Sequence, residues 1–292
     1  MWFFLAFQYG GQAVIEGVMM RGPRNIALAV RQSNGDIAVE KDEIAPITER
    51  YPGLKWPLIR GTFVLFDSLV VGMKALSRSA NMALDEEEEE LSFREICVTI
   101  VIAVVLAVVL FVLIPTGIVH LLRDLVGGVV LQNIIEGIIR IAVFLAYVAA
   151  ISRIGEIDRV FMYHGAEHKV IHAYEKGGEL TVENARQYSR LHPRCGTSFL
   201  LVVMVVSIFV FALLGDGSLA WKVGSRVAVL PVVAGLGYEF IKFSGRYGER
   251  VWARALIAPG LWLQALTTRE PDDGQLEVAI RALQGVLCGE KK

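Results

Sequence analysis

His164, Glu167 and His168 spell His-x-x-Glu-His, and with His172 four residues later, three of the five histidines fall within nine residues. On a helix, residues four apart stand one above the other, so two imidazoles can grip one ion while Glu167 lies beside them. Nitrogen donors at that spacing suit zinc, and a carboxylate next to the site can take a proton from water. His172 drifts around the helix and is a candidate for a supporting position behind the ligands.

This chemistry needs a helix through the cluster and a further donor from another element. Good helix formers run from Glu156 to Glu175, with Ile157, Val160, Phe161, Ala166, Val170 and Ile171 interleaved with charge. That pattern predicts a helix despite Gly165. The same motif order occurs in one class of zinc peptidase, where both histidines bind zinc and the glutamate is the general base. Here those roles fall to His164, His168 and Glu167. The third ligand has three candidates: His192 and Cys195, in a His-Pro-Arg-Cys-Gly turn, and Glu239, inside an apolar stretch. A turn role for His192 and Cys195, and pairing of Glu239 with Lys242 or Arg246, are the competing explanations.

The surroundings are apolar. The chain has 292 residues, 54% hydrophobic and 20% charged, with a formal net charge of -1. A balance so close to neutral argues against nucleic acid as a partner. Four spans are expected, over Ile96–Ile114, Ile134–Ile151, Ser198–Leu214 and Val227–Phe243. Glu136 and Arg140, four residues apart, can pair within the second span. Ten Lys and Arg precede the first span, seven lie between Ser152 and Thr197, and eight follow Phe240. Those faces are expected to be cytoplasmic, with both termini inside. The His cluster and the His192/Cys195 turn then share one membrane face, which Glu239 would approach from within the bilayer. The Trp2–Phe7 run is too short for a span and does not read as a cleavable signal peptide. Three scattered cysteines do not form a disulfide framework.

Asn34-Gly35 lies between the alternating stretches Ile26–Gln32 and Ile37–Ile44 and predicts a β-hairpin. The preceding Tyr9–Pro23 segment places four glycines around Glu16 but matches neither glycine-rich phosphate fingerprint. Leu58–Leu76 reads as an interfacial or re-entrant helix, and Asp85–Glu90 as a solvated acidic linker. Leu276, Ala279, Ile280, Leu283 and Leu287 predict a closing amphipathic helix. The expected architecture is therefore mainly α and polytopic. Residues 1–95 form a cytoplasmic region with a small β-hairpin and an interfacial helix, and 96–154 a first transmembrane pair. Residues 155–197 form a cytoplasmic helical His/Glu/Cys loop, 198–243 a second pair, and 244–292 a cytoplasmic amphipathic helical region.

The segments Tyr-Gly-Gly-Gln-Ala-Val-Ile-Glu-Gly-Val-Met-Met-Arg-Gly from Tyr9, Tyr-His-Gly-Ala-Glu-His-Lys from Tyr163 and His-Pro-Arg-Cys-Gly-Thr-Ser-Phe from His192 resemble the YqhQ-type bacterial membrane family. Tyr238-Glu239 and the Thr-Thr-Arg-Glu-Pro run within Leu266–Leu283 extend the similarity over nearly the whole chain. The family is described only as predicted metal-dependent membrane proteins, of unknown function. The resemblance implies that Glu16, His164, Glu167, His168, His192, Cys195 and Glu239 belong to family motifs; Glu16 and His172 are expected behind the ligands.

Three functional classes follow. The first is a zinc hydrolase of the bacterial inner membrane, with Glu167 as base and a membrane-associated peptide or lipid-linked substrate. The second is an assembly factor or scaffold, binding a protein partner, with a structural zinc closed by His164, His168, His192 and Cys195. The third is an ion-coupled transporter using Glu239 in a broken helix.

Overall fold

The Asn34-Gly35 hairpin is half of a four-stranded antiparallel meander: β1 (Gly10–Val14), β2 (Gly17–Arg21), β3 (Asn25–Arg31) and β4 (Ile37–Glu43), paired in that order. Gly35 has φ +89° in the β3–β4 turn, the left-handed conformation that glycine takes without penalty. The glycine-rich segment before it forms the first hairpin, in which Val14 faces Gly17 across a two-residue turn. Glu16, at φ +49°, carries the turn, a strained backbone for a side chain of its size. The computed structural model describes residues 9–45, 51–84, 92–123, 125–215, 217, 219–247 and 250–290. Trp2–Phe7 and Asp85–Glu90 lie outside the described residues.

Both faces of the sheet are covered, so β2 and β3 read as nearly continuous apolar runs rather than alternating ones. Helix α1 (Ile59–Ala83) lies on one face, where Ala75 joins Val14, Met19, Leu28 and Val30. Ser79 Oγ accepts from the Ile15 N–H at 3.2 Å, and Arg21 pairs with Asp67 at 2.6 Å. The opposite face carries Val18, Met20, Ala27 and Ala29 against the helices of residues 155–175 and 273–290. The outer strand β4 exposes Glu40, Lys41, Asp42 and Glu43, charges that discourage edge-to-edge pairing.

The rest of the chain is mainly helical. A helical run begins at α2 (Phe93–Val108), capped by a reciprocal Ser92–Glu95 box. It continues through a π turn (Val109–Leu113) into α3 (Ile114–Leu121). Helix α4 (Val129–Ile151) follows. These two runs, 28 and 23 residues, are long and apolar enough to cross a membrane, and the apolar window of the first is wholly unburied. Valines and isoleucines exposed around its circumference, among them Val101, Ile102, Val104 and Val105, suit hydrocarbon and would be costly in water.

By length and composition two helices qualify as spans among the described residues, where four are expected from the sequence. Helix α7 (Gly196–Ala212) is apolar but only 17 residues long. Helix α8 (Leu219–Tyr247), at 29 residues, is long enough but interrupts its apolar character with Arg226, Pro231, Glu239 and Lys242. Between α4 and α7 lie α5 (Gly155–Glu175) and the short α6 (Val182–Arg186). Beyond α8, the region expected to be amphipathic throughout opens with an apolar helix, α9 (Val251–Thr267), exposing Trp252, Leu256 and Trp262. Pro259 and Gly260 in its middle obscure it in the sequence. A Cβ on Gly260 would lie 2.6 Å from Ser198 Oγ, so the glycine allows α9 to press against α7. Helix α10 (Asp273–Glu290) buries Leu276, Ala279, Ile280, Leu283 and Val286 in the core shared with α5 and the sheet.

Candidate metal centre

Three residues of the predicted set converge. His164, His168 and Cys195 offer ligand atoms within 4.8 Å of one another, and His164 Nε2 lies 3.1 Å from Cys195 Sγ. Helix α5 supplies the two histidines one turn apart, while Cys195 is the N-cap residue of α7. That is the helix end at which the backbone dipole favours a negatively charged ligand atom.

Backbone carbonyls hold both imidazoles. His164 Nδ1 donates to the Thr267 carbonyl at 2.9 Å, and His168 Nδ1 donates to the Arg190 carbonyl at 2.5 Å. Each bond fixes the tautomer and leaves Nε2 as a lone pair, the arrangement usual behind metal-bound histidines. Gln264, fully buried on α9, fastens the loop that brings Cys195 in. Its side chain accepts from the His192 N–H and donates to the His192 carbonyl, both at 2.8 Å, and also donates to Ser198 Oγ at 2.8 Å. Thr267, Arg190 and Gln264 left no signal in the sequence, because two contribute a backbone carbonyl and the third a neutral amide.

The two glycines nearest the motif are required by close approach. A Cβ at Gly165 would lie 2.1 Å from the Arg269 carbonyl oxygen, where the 268–270 segment crosses α5 and Arg269 N–H donates to the Phe161 carbonyl at 2.9 Å. Gly165→Ala is therefore expected to destabilise the protein despite the roughly 1 kcal/mol that alanine gains in a helix. A lowered thermal midpoint in detergent checks this. Gly11 of β1 similarly admits Glu167, whose Cδ would lie 3.0 Å from a Cβ there.

Glu167 is buried, and burial pushes its carboxyl above the usual carboxylate range against the pull of His164 and His192. Burial also lowers His168 and His172 and takes His192 down to about 4. These three imidazoles are thus neutral near pH 7, as metal ligation requires. Without metal, the depressed His192 makes the fold acid-sensitive: the unfolded chain binds its proton from about pH 6.5 downward, the folded chain only near 4. Stability is lost across that window, by about 3 kcal/mol at most. Glu167, shifted upward, acts in the opposite sense, so the comparison is between wild type and His192→Gln in chelator. Between about pH 7.5 and about pH 4.5 the thermal midpoint of the wild type is expected to fall further.

The other predicted ligands do not join this trio. His192, an expected alternative ligand, groups instead with His172 and Glu175, again within 4.8 Å. Glu175 has no place in the sequence motif, but it lies three residues beyond His172 and continues the same ridge of α5. Glu239 is not brought to either group. Both of its oxygens accept from Arg60 of α1, at 2.6 and 2.5 Å, a partner different from Lys242 or Arg246, the second of whose side chains lies outside the described residues. Glu16 accepts from Arg159 at 2.6 Å and from Tyr163 Oη at 3.3 Å. The Arg159 guanidinium holds its carboxyl below the ordinary range, and the contact braces the start of α5 against the first hairpin.

The fold and the site together define a mainly helical protein with membrane-competent helices and clustered His, Cys and Glu side chains compatible with a metal centre. The chain belongs to the family described as "Protein of unknown function (DUF1385)", whose model matches residues 56–288. It is 36% identical over 296 residues, covering 96% of this chain and 92% of the relative, to "Uncharacterized protein YqhQ" of Bacillus subtilis (strain 168). The resemblance read from the motifs is thereby established. No solved structure matches the chain.

Proposed function

We propose that this chain is a multi-pass protein of the bacterial inner membrane that binds zinc through His164, His168 and Cys195 at its cytoplasmic face. It would act there as a metal-dependent hydrolase on a membrane-associated peptide or lipid-linked ester or amide. The convergence of two Nε2 lone pairs on Cys195, each imidazole oriented by a backbone carbonyl, carries this reading. Three protein ligands leave a fourth tetrahedral position for water or substrate. An ion held there would act as a Lewis acid and lower the pKa of coordinated water to roughly 7.

Glu167 is suited to take the proton of the attacking water and return it to the leaving group. Its burial raises its proton affinity. The location of Cys195 at the first turn of apolar α7 supports a substrate that reaches the site along the bilayer. Exposed Leu200, Val205 and Phe209 on α7 and Leu230, Val232 and Leu236 on α8 support four spans, and the Lys and Arg distribution supports cytoplasmic termini.

The burial of His168 and Cys195 favours one alternative, a scaffold with a closed structural metal. Acetohydroxamate added to the cobalt-loaded full chain in detergent separates the two. An open position predicts a shift of the cobalt absorption bands, retained in Glu167→Gln; an unchanged spectrum would favour the closed site and remove the hydrolase reading.

A further inference from the structure

His172, Glu175 and His192 lie outside the trio that carries the proposed function, yet they converge as closely as its members do. One of their atoms lacks a partner. His192 is 4% exposed, and its Nε2 is buried without a hydrogen bond. The nearest carboxylate oxygen, Glu175 Oε2, is 3.5 Å away, beyond a good N–H···O bond. Two donors each about 2.05 Å from one ion at the tetrahedral angle stand about 3.3 Å apart, so this spacing suits two ligands of a shared cation.

The neighbouring bonds dispose the other groups for the same task. His172 Nε2 donates to the Leu191 carbonyl at 3.0 Å, which leaves Nδ1 as a lone pair. Glu175 Oε1 is held by Arg194, which fixes the carboxylate and leaves Oε2 toward His192. The other nitrogen of His192 has a single long contact, 3.3 Å from the Arg194 N–H. Moving the proton to Nδ1 therefore sacrifices one weak hydrogen bond and makes Nε2 a ligand. The two positions adjoin, with the His168 and His192 ring centroids 5.6 Å apart and those of His172 and His192 4.5 Å apart.

We infer that His172, Glu175 and His192 form a second divalent-cation position beside the His164/His168/Cys195 centre, so that the chain carries a two-metal site with one thiolate-bearing and one thiolate-free half. This rests on the first centre being a metal site, and the test separates the two claims. The full-length protein in detergent is stripped with chelator and titrated with Co²⁺, following metal equivalents by elemental analysis and the thiolate-to-cobalt charge-transfer band, which reports only the half containing Cys195.

Two equivalents are expected in the wild type. Glu175→Gln and His172→Gln should each retain one equivalent with the charge-transfer band intact, which also shows that they fold. Cys195→Ser should lose the band while retaining the thiolate-free ion. One equivalent in the wild type, unaltered by Glu175→Gln, would overturn the second position and leave the first standing. So would two equivalents that persist in both variants, or loss of both ions together in both. No bound cobalt in the wild type would overturn both readings.

Discussion

Cys195→Ala is expected to abolish tight zinc binding at the His164/His168 centre while leaving a folded protein. The thiol is the one donor of the proposed centre contributed from outside α5, and it lies 3.1 Å from His164 Nε2. Its loss leaves two imidazoles on one helix, too few to complete a zinc site. Loss of an outer-shell partner typically weakens a metal site 10- to 100-fold, so removal of a ligand should exceed that range. His168→Ala should act alike, whereas Glu167→Gln should retain the ion because Glu167 is not among the three converging donors. If Cys195 were only a small buried thiol, alanine would cost about 1 kcal/mol of stability and leave metal content unchanged. Elemental analysis beside a thermal scan separates the two results.

Glu136→Gln is expected to have the largest effect on stability, about 3–5 kcal/mol, without touching the metal centre. Glu136 is 4% exposed on α4, where it joins three helical elements. It accepts from Arg140 at 2.8 Å, from Arg226 of α8 at 2.5 and 2.8 Å, and from Thr116 of α3 at 3.1 Å. Arg140 also donates to the Phe111 carbonyl in the π turn at 2.8 Å. Neutralising the one carboxylate leaves two guanidinium groups facing each other in apolar surroundings, where removal of one partner is far costlier than removal of the whole set. Glu136→Leu combined with Arg140→Met and Arg226→Met should recover much of the loss. Thermal unfolding in detergent measures both; a near-neutral Glu136→Gln would contradict the assigned role.

Signals in the sequence were strong where local chemistry determined structure. Asn34-Gly35 gave the second hairpin through its turn preference, and the α5 ridge followed from residues four apart on a helix. The first hairpin was obscured because covering both faces of the sheet removes the alternation that marks a strand. Helix α9 was missed because Pro259 and Gly260 interrupt a pattern that packing against α7 restores.

The site divides along the same line. Residues within one helix were legible, and Cys195 was recognisable as a donor beside an apolar stretch. Its choice over Glu239 depended on which loop folds onto α5, and Arg60, which occupies Glu239, is 179 residues away in sequence. Glu175 acquires meaning only when the chain returns His192 to the end of α5. The carbonyls of Thr267 and Arg190 orient the two imidazoles through main-chain atoms that no residue type reveals.

The central claim is that His164, His168 and Cys195 hold one ion. X-ray absorption spectroscopy at the zinc edge, on full-length protein loaded with a single equivalent, tests it most directly. One sulfur neighbour at about 2.3 Å with nitrogen neighbours near 2.0–2.1 Å is the predicted shell, and the sulfur should vanish in Cys195→Ser. A shell of nitrogen and oxygen alone, or a sulfur that persists in Cys195→Ser, would contradict the account.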